Sequence, residues 1–63
     1  MTKNEFNIKL GRCRGNPEAL KRFLIRSTSS PAIRARLSME ISKTTLQQMT
    51  LRVKKELAAK YDW

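Results

Sequence analysis

Recognition of an anion is the one kind of chemistry that this 63-residue chain is well stocked for. Fourteen lysines and arginines stand against five aspartates and glutamates, a formal net charge of +9. After Lys3 the cations run along the whole length: Lys9, Arg12 and Arg14, then Lys21, Arg22 and Arg26, then Arg34 and Arg36. Lys43, Arg52, Lys54, Lys55 and Lys60 follow. Each can neutralise a phosphate or pair with a carboxylate, and arginine adds the geometric fit of its planar fork. A single pair such as Lys54-Lys55 is ordinarily a solvated helix face. A chain-wide excess is different, because unneutralised like charge destabilises a compact fold, so it points to an anionic partner. The candidate partner-binding residues are Arg12, Arg14, Arg34, Arg36, Lys43, Arg52, Lys54 and Lys55.

Other chemistries lack their residues. The chain has no histidine and one cysteine, Cys13. That inventory excludes the familiar zinc-site spacings and removes the usual general base. No catalytic residue, metal site, cofactor or small-molecule substrate is expected. A lone cysteine forms no intramolecular disulfide, which fits a reducing compartment, and on an apolar helix face it reads as a small buried hydrophobe. The opening MTKNEFNIKLGR has no apolar run of the secretory kind. The longest aliphatic-aromatic run, Phe23-Leu24-Ile25, falls far short of the ~20 residues that span a bilayer. The expectation is a cytoplasmic protein without a membrane segment.

The elements that must position the cations are helices. Gly11, Gly15, Pro17 and Pro31 divide the chain. Thr2 and Glu5 have the spacing of a capping box, and Phe6, Leu10 and Cys13, with Ile8 alongside, suit a helix ending near Arg14 with Gly15 as its stop. Asn16-Pro17-Glu18 starts a second helix: asparagine caps, proline needs no N–H there, and glutamate complements the positive helix end. It should carry Leu20, Phe23, Leu24 and Ile25 to about Arg26, followed by a Ser27–Ser30 loop. Ser30-Pro31 starts a third helix with Ile33, Leu37 and Ile41 spaced by four. Nothing alternates with period two for long enough to make a strand. The fold class expected is all-α, a single domain of three or four helices. The expected core is Phe6, Leu10, Cys13, Leu20, Phe23, Leu24, Ile33, Leu37, Ile41, Leu46, Met49, Val53 and Leu57. So short a chain buries too little for a deep core, so it gains from dimerising or docking on a partner.

Ile41–Tyr61 is the stretch around which the chain is organised. Leu46, Met49, Val53 and Leu57 recur at helical spacing, and Arg52, Lys54, Lys55 and Lys60 occupy other faces. At about 100° per residue, this stripe lies nearly opposite that of Ile33, Leu37 and Ile41. One straight helix cannot bury both against a single neighbour. Either the chain turns at Ser42-Lys43-Thr44, or one long helix is covered on two sides. If it turns, Ile41–Leu46 has the form of the turn and opening of a recognition helix, where short polar residues reach bases and phosphates. Tyr61 and Trp63 read as aromatics tucked against the core.

Three blocks stand out: Thr2-Lys3-Asn4-Glu5-Phe6 with Lys9-Leu10 and Arg12-Cys13, Glu18–Leu24, and Leu46-Gln-Gln-Met49-Thr50-Leu51. Together they resemble the Hha/YmoA family of small bacterial expression modulators. The resemblance implies an all-helical protein with a long third helix that binds the nucleoid protein H-NS and strengthens gene silencing. Lys43-Thr44-Thr45 stands where that family carries an Asp-His-Arg step, and the family is nearly neutral where this chain is basic. Both differences argue for more direct contact with nucleic acid, or for a different partner. The leading expectation is therefore a transcriptional regulator of the nucleoid acting through DNA or an H-NS-like protein. The alternatives are a basic module docking on an acidic protein, and an RNA- or ribosome-associated protein, for which no aromatic RNA-binding motif is present.

Overall fold

The computed structural model describes all 63 residues. Four helices account for nearly all its regular structure: α1 (Lys3–Arg12), α2 (Pro17–Ser27), α3 (Pro31–Leu37) and α4 (Lys43–Tyr61). There are no strands, and the class is all-α. Helix α2 is the hub, packed against each of the other three, while α3 also lies against α4.

Every helix begins where its capping residue places it. Thr2 Oγ1 accepts from the Glu5 amide at 3.1 Å, Asn16 Oδ1 from Ala19 at 3.2 Å, Ser30 Oγ from Ile33 at 3.3 Å and Ser42 Oγ from Thr45 at 3.1 Å. Each cap satisfies one of the free amides of a first turn and contributes about 1 kcal/mol. The Thr2–Glu5 box closes in a variant form, with the threonine hydroxyl donating to Glu5 Oε1 at 3.3 Å. Gly15 takes the left-handed conformation, φ 81°, at the turn after α1. The expected ends of α1 and α2 differ from the observed ones by one or two residues, within ordinary fraying.

The third helix is shorter than its four-residue spacing suggested. It stops at Leu37, and the chain turns through Ser38–Ser42. Ile41 is therefore not part of the α3 stripe; it sits in the turn, half-buried against the core. No long helix sandwiched on two sides is formed. The out-of-phase stripes account for this. With the break, Leu37 and the Leu46–Leu57 stripe both reach one core, and Ser42 caps the new helix. Lys21 of α2 reaches across to hold the turn, its Nζ donating to the Met39 carbonyl at 3.3 Å.

The core is thin and built from one fully buried anchor per helix: Phe6, Leu24, Leu37 and Val53. Leu46, Met49 and Leu57 complete the buried set, with Leu10, Leu20, Phe23, Ile33 and Ile41 packed half-buried around it. Cys13, expected in the core, is only half-buried at the end of α1. At the other end of the molecule's chain path, Trp63 closes over α1. Its ring lies 5.6 Å from that of Phe6, which in turn lies 5.3 Å from Phe23. Asp62 makes this closure by adopting φ 55°, ψ 47°, and the Trp63 amide then donates back to Ala58 at 2.9 Å. This is a left-handed helix ending of the Schellman type.

One buried polar residue joins the apolar anchors. Thr28, 1% exposed, sits in the α2–α3 loop and donates to Glu56 Oε1 of α4 at 2.5 Å. The second carboxylate oxygen accepts from the Ser29 amide at 2.8 Å, and Thr28 Oγ1 accepts from the Ser30 amide at 3.1 Å. Glu56 thus fastens the loop that launches α3 onto α4. Hydrogen bonds to a charged group contribute more than neutral ones. Glu56→Ala should lower stability by about 2 kcal/mol, which for a domain this small is a melting-point drop of roughly 8–16 °C followed by circular dichroism. Glu18→Ala, at an exposed first-turn position, should cost less than about 1 kcal/mol.

Candidate nucleic-acid interface

The turn at Ser38–Ser42 decides what α4 presents. With Leu46, Met49, Val53 and Leu57 buried, the opposite side of the helix is free, and Thr44, Gln47, Gln48, Leu51 and Lys55 are all exposed on it. At about 100° per residue these five share an arc of roughly 100°. Lys43 and Lys54 lie along one edge of that arc and Arg52 along the other. The result is a face whose centre is neutral from Thr44 to Leu51 and carries Lys55 one turn farther on, with cations on both margins.

Beside this face, α3 and the first half of α4 enclose a shallow cleft of about 380 Å³ lined by Ala32, Ile33, Arg36, Thr45, Gln48, Met49 and Arg52. Arg36 and Arg52, from different helices, flank it. These are the two predicted site residues that the fold brings together into one concave surface. Lys43 stands at the first turn of α4, exposed and adjoining the Ser38–Ser42 turn. Lys54 and Lys55, neighbours in sequence, diverge: Lys55 belongs to the exposed centre and Lys54, half-buried, to its edge.

Two arginines of the expected set lie elsewhere. Arg12 and Arg14 are exposed at the end of α1 and in the turn after it, and neither lines the α3–α4 cleft. Arg34 has a structural task. Its Nη2 donates to the Thr28 carbonyl at 2.9 Å, closing the far side of the loop that Glu56 holds. Arg36, two residues on, lines the cleft and is exposed.

A second cleft, of about 470 Å³, lies between α1 and α2, where Lys9, Arg22 and Arg26 surround Phe23, Ala19, Ser27 and Met1. The sequence shows its three cations as basic residues, and the fold makes them a convergent group. The i, i+4 spacing of Arg22 and Arg26 was the available signal. Gln47, Gln48 and Leu51 lie opposite a stripe that the sequence already shows, but that side of α4 is free only because the chain turns at Ser38–Ser42.

The carboxylates go largely to building the fold. Glu5 lies in the first-turn box of α1, Glu18 in the first turn of α2, and Glu56 holds the α2–α3 loop. No cluster of three or more Cys, Asp or Glu side chains is placed to hold a metal ion. No helix is long and apolar enough to cross a membrane. No known protein family, curated protein or solved structure matches the chain.

The two arginines of α3 should separate cleanly by substitution. Arg34→Ala removes a partly buried charged hydrogen bond and should cost about 1 kcal/mol in chemical denaturation. Arg36→Ala and Arg52→Ala, at solvated positions, should each stay within about 0.5 kcal/mol of the parent.

Proposed function

We propose that the protein is a small, non-enzymatic regulator of transcription that binds duplex DNA of the nucleoid through its α3–turn–α4 unit, with the outer face of α4 in the major groove. The observation that carries this reading is the charge arrangement on α4. Phosphate contacts position a protein on DNA and base contacts give sequence information. A helix lying in the groove meets bases along its centre and a phosphate strand on each side. From Thr44 to Leu51, a neutral, hydrogen-bonding centre with cationic edges matches that division. The major groove, about 12 Å wide, admits a helix of about 10–12 Å diameter. Helix α3 then crosses toward the backbone and brings Arg36 to a phosphate beside Arg52, the arrangement of a helix-turn-helix unit.

Energetics favour the same partner. A 63-residue domain has a total stability of only about 3–9 kcal/mol at typical values per residue. Self-repulsion at +9 works against that stability. A polyanion relieves the repulsion and stabilises the folded form by mass action.

Titration of a fluorescent duplex with the protein across a salt series tests the reading. Affinity should fall with salt at about 0.9 log units per log unit for every phosphate contacted. Arg36→Glu combined with Arg52→Glu should weaken binding at least tenfold and reduce that slope by about two, with helicity unchanged. A protein with no DNA affinity at low salt would refute the proposal. It would leave docking on an acidic partner, of the H-NS-like kind that the Hha/YmoA resemblance implies, as the reading to pursue.

A further inference from the structure

We propose that the neutral centre of the α4 face reads A·T base pairs, with Gln47 and Gln48 addressing adenine and Leu51 addressing the thymine methyl group. This inference rests on the reading that α4 lies in the major groove of DNA, and it adds which bases the groove must offer.

The first ground is that these side chains are uncommitted. In the first half of α4 the side-chain hydrogen bonds are those of Ser42 with Thr45 and of Thr50 with the Leu46 carbonyl at 2.9 Å. Gln47 and Gln48 take no part in them. Both amides are exposed on the outer side of the helix. A glutamine amide offers a donor and an acceptor side by side, the complement of adenine N7 and N6 in the major groove.

The second ground is Leu51. A single exposed leucine decides nothing, since folded proteins expose many apolar atoms. Its degree and place do. Leu51 is 63% exposed, the most exposed large hydrophobic side chain of the molecule, and it stands in the middle of the face one turn beyond Gln47 and Gln48. In a major groove the apolar feature available to it is the C5-methyl of thymine.

The third ground is what the centre lacks. Between Thr44 and Leu51 there is no arginine or lysine to pair with guanine O6 and N7, and no aspartate or glutamate to accept from cytosine N4. Lys55 lies one turn farther from the helix start, beyond the N-terminal residues that contact bases in this geometry. The rise from Thr44 to Leu51 is about 10 Å, close to three base-pair steps, so the motif read by one molecule should be about three consecutive A·T pairs.

Selection from a randomised duplex pool with the full chain tests this. The enriched duplexes should share a short A·T motif. Gln47→Ala with Gln48→Ala should reduce preference for the enriched duplex over a scrambled one at least tenfold, while affinity for the scrambled duplex changes less than about twofold. Replacing motif thymines by deoxyuridine removes only the methyl groups and should weaken the parent protein about fourfold for each methyl contacted. Leu51→Ala should be insensitive to that replacement. The deoxyuridine arm requires no variant, so it holds even if a substitution perturbs folding. A protein that binds duplexes but enriches no A·T motif, or is indifferent to deoxyuridine, would overturn the inference and leave DNA binding standing. A protein that binds no duplex would overturn both.

Discussion

The carboxylate of Glu56 is the constraint on which the arrangement of the molecule depends. Its two oxygens hold Thr28 and the Ser29 amide, and Arg34 closes the loop from the other side. Helix α3 has only seven residues. So short a helix is unstable by itself and takes its place from its surroundings. Leu37 supplies the apolar anchor at its far end, and the Thr28–Glu56 network supplies the polar anchor at its start. Between these two points α3 has little freedom, and the Arg36–Arg52 cleft follows from that.

The same network illustrates how charge is divided in this protein. Acidic groups are few, and three of the five, Glu5, Glu18 and Glu56, serve first turns and loop fixation, while Glu40 is exposed in the Ser38–Ser42 turn. Two basic groups, Lys21 and Arg34, serve the fold through backbone carbonyls. The cations of the α4 face and the two clefts are left facing solvent. Such a division makes the folded state sensitive to its ionic surroundings: added salt screens the repulsion among exposed cations, but acts less on the partly buried Glu56 contacts. Stability and partner affinity should therefore respond to salt in opposite directions.

Local physics made much of the fold legible in the sequence. All four capping residues act through bonds spanning three residues, so Thr2, Asn16 and Ser30 could be read without tertiary knowledge, while Ser42 belonged to one of two open alternatives. The seven buried hydrophobics are all within the expected core. What could not be read depends on distance along the chain. Thr28 looked like part of a polar loop, and only the approach of Glu56 makes its burial tolerable. Arg34 and Arg36 are alike in a linear pattern, yet one is bound to a carbonyl and the other lines a cleft. The Ser38–Ser42 turn has neither glycine nor proline, and the opposed stripes around it had two consistent solutions. Of the candidate site, the cations were visible from composition. Their division into convergent and dispersed groups required the fold, and so did the neutral centre of α4.

The tilted contact of Trp63 with Phe6 has an experimental consequence. Trp63 is the sole tryptophan of the chain, and its indole touches the one fully buried side chain that α1 contributes. Its emission therefore reports on the docking of α1 against the end of α4, whereas far-ultraviolet dichroism averages over all four helices. Following the two signals together through an unfolding transition would tell whether α1 detaches before the α2–α3–α4 unit melts. The molecule carries its own probe for that separation, with no label added.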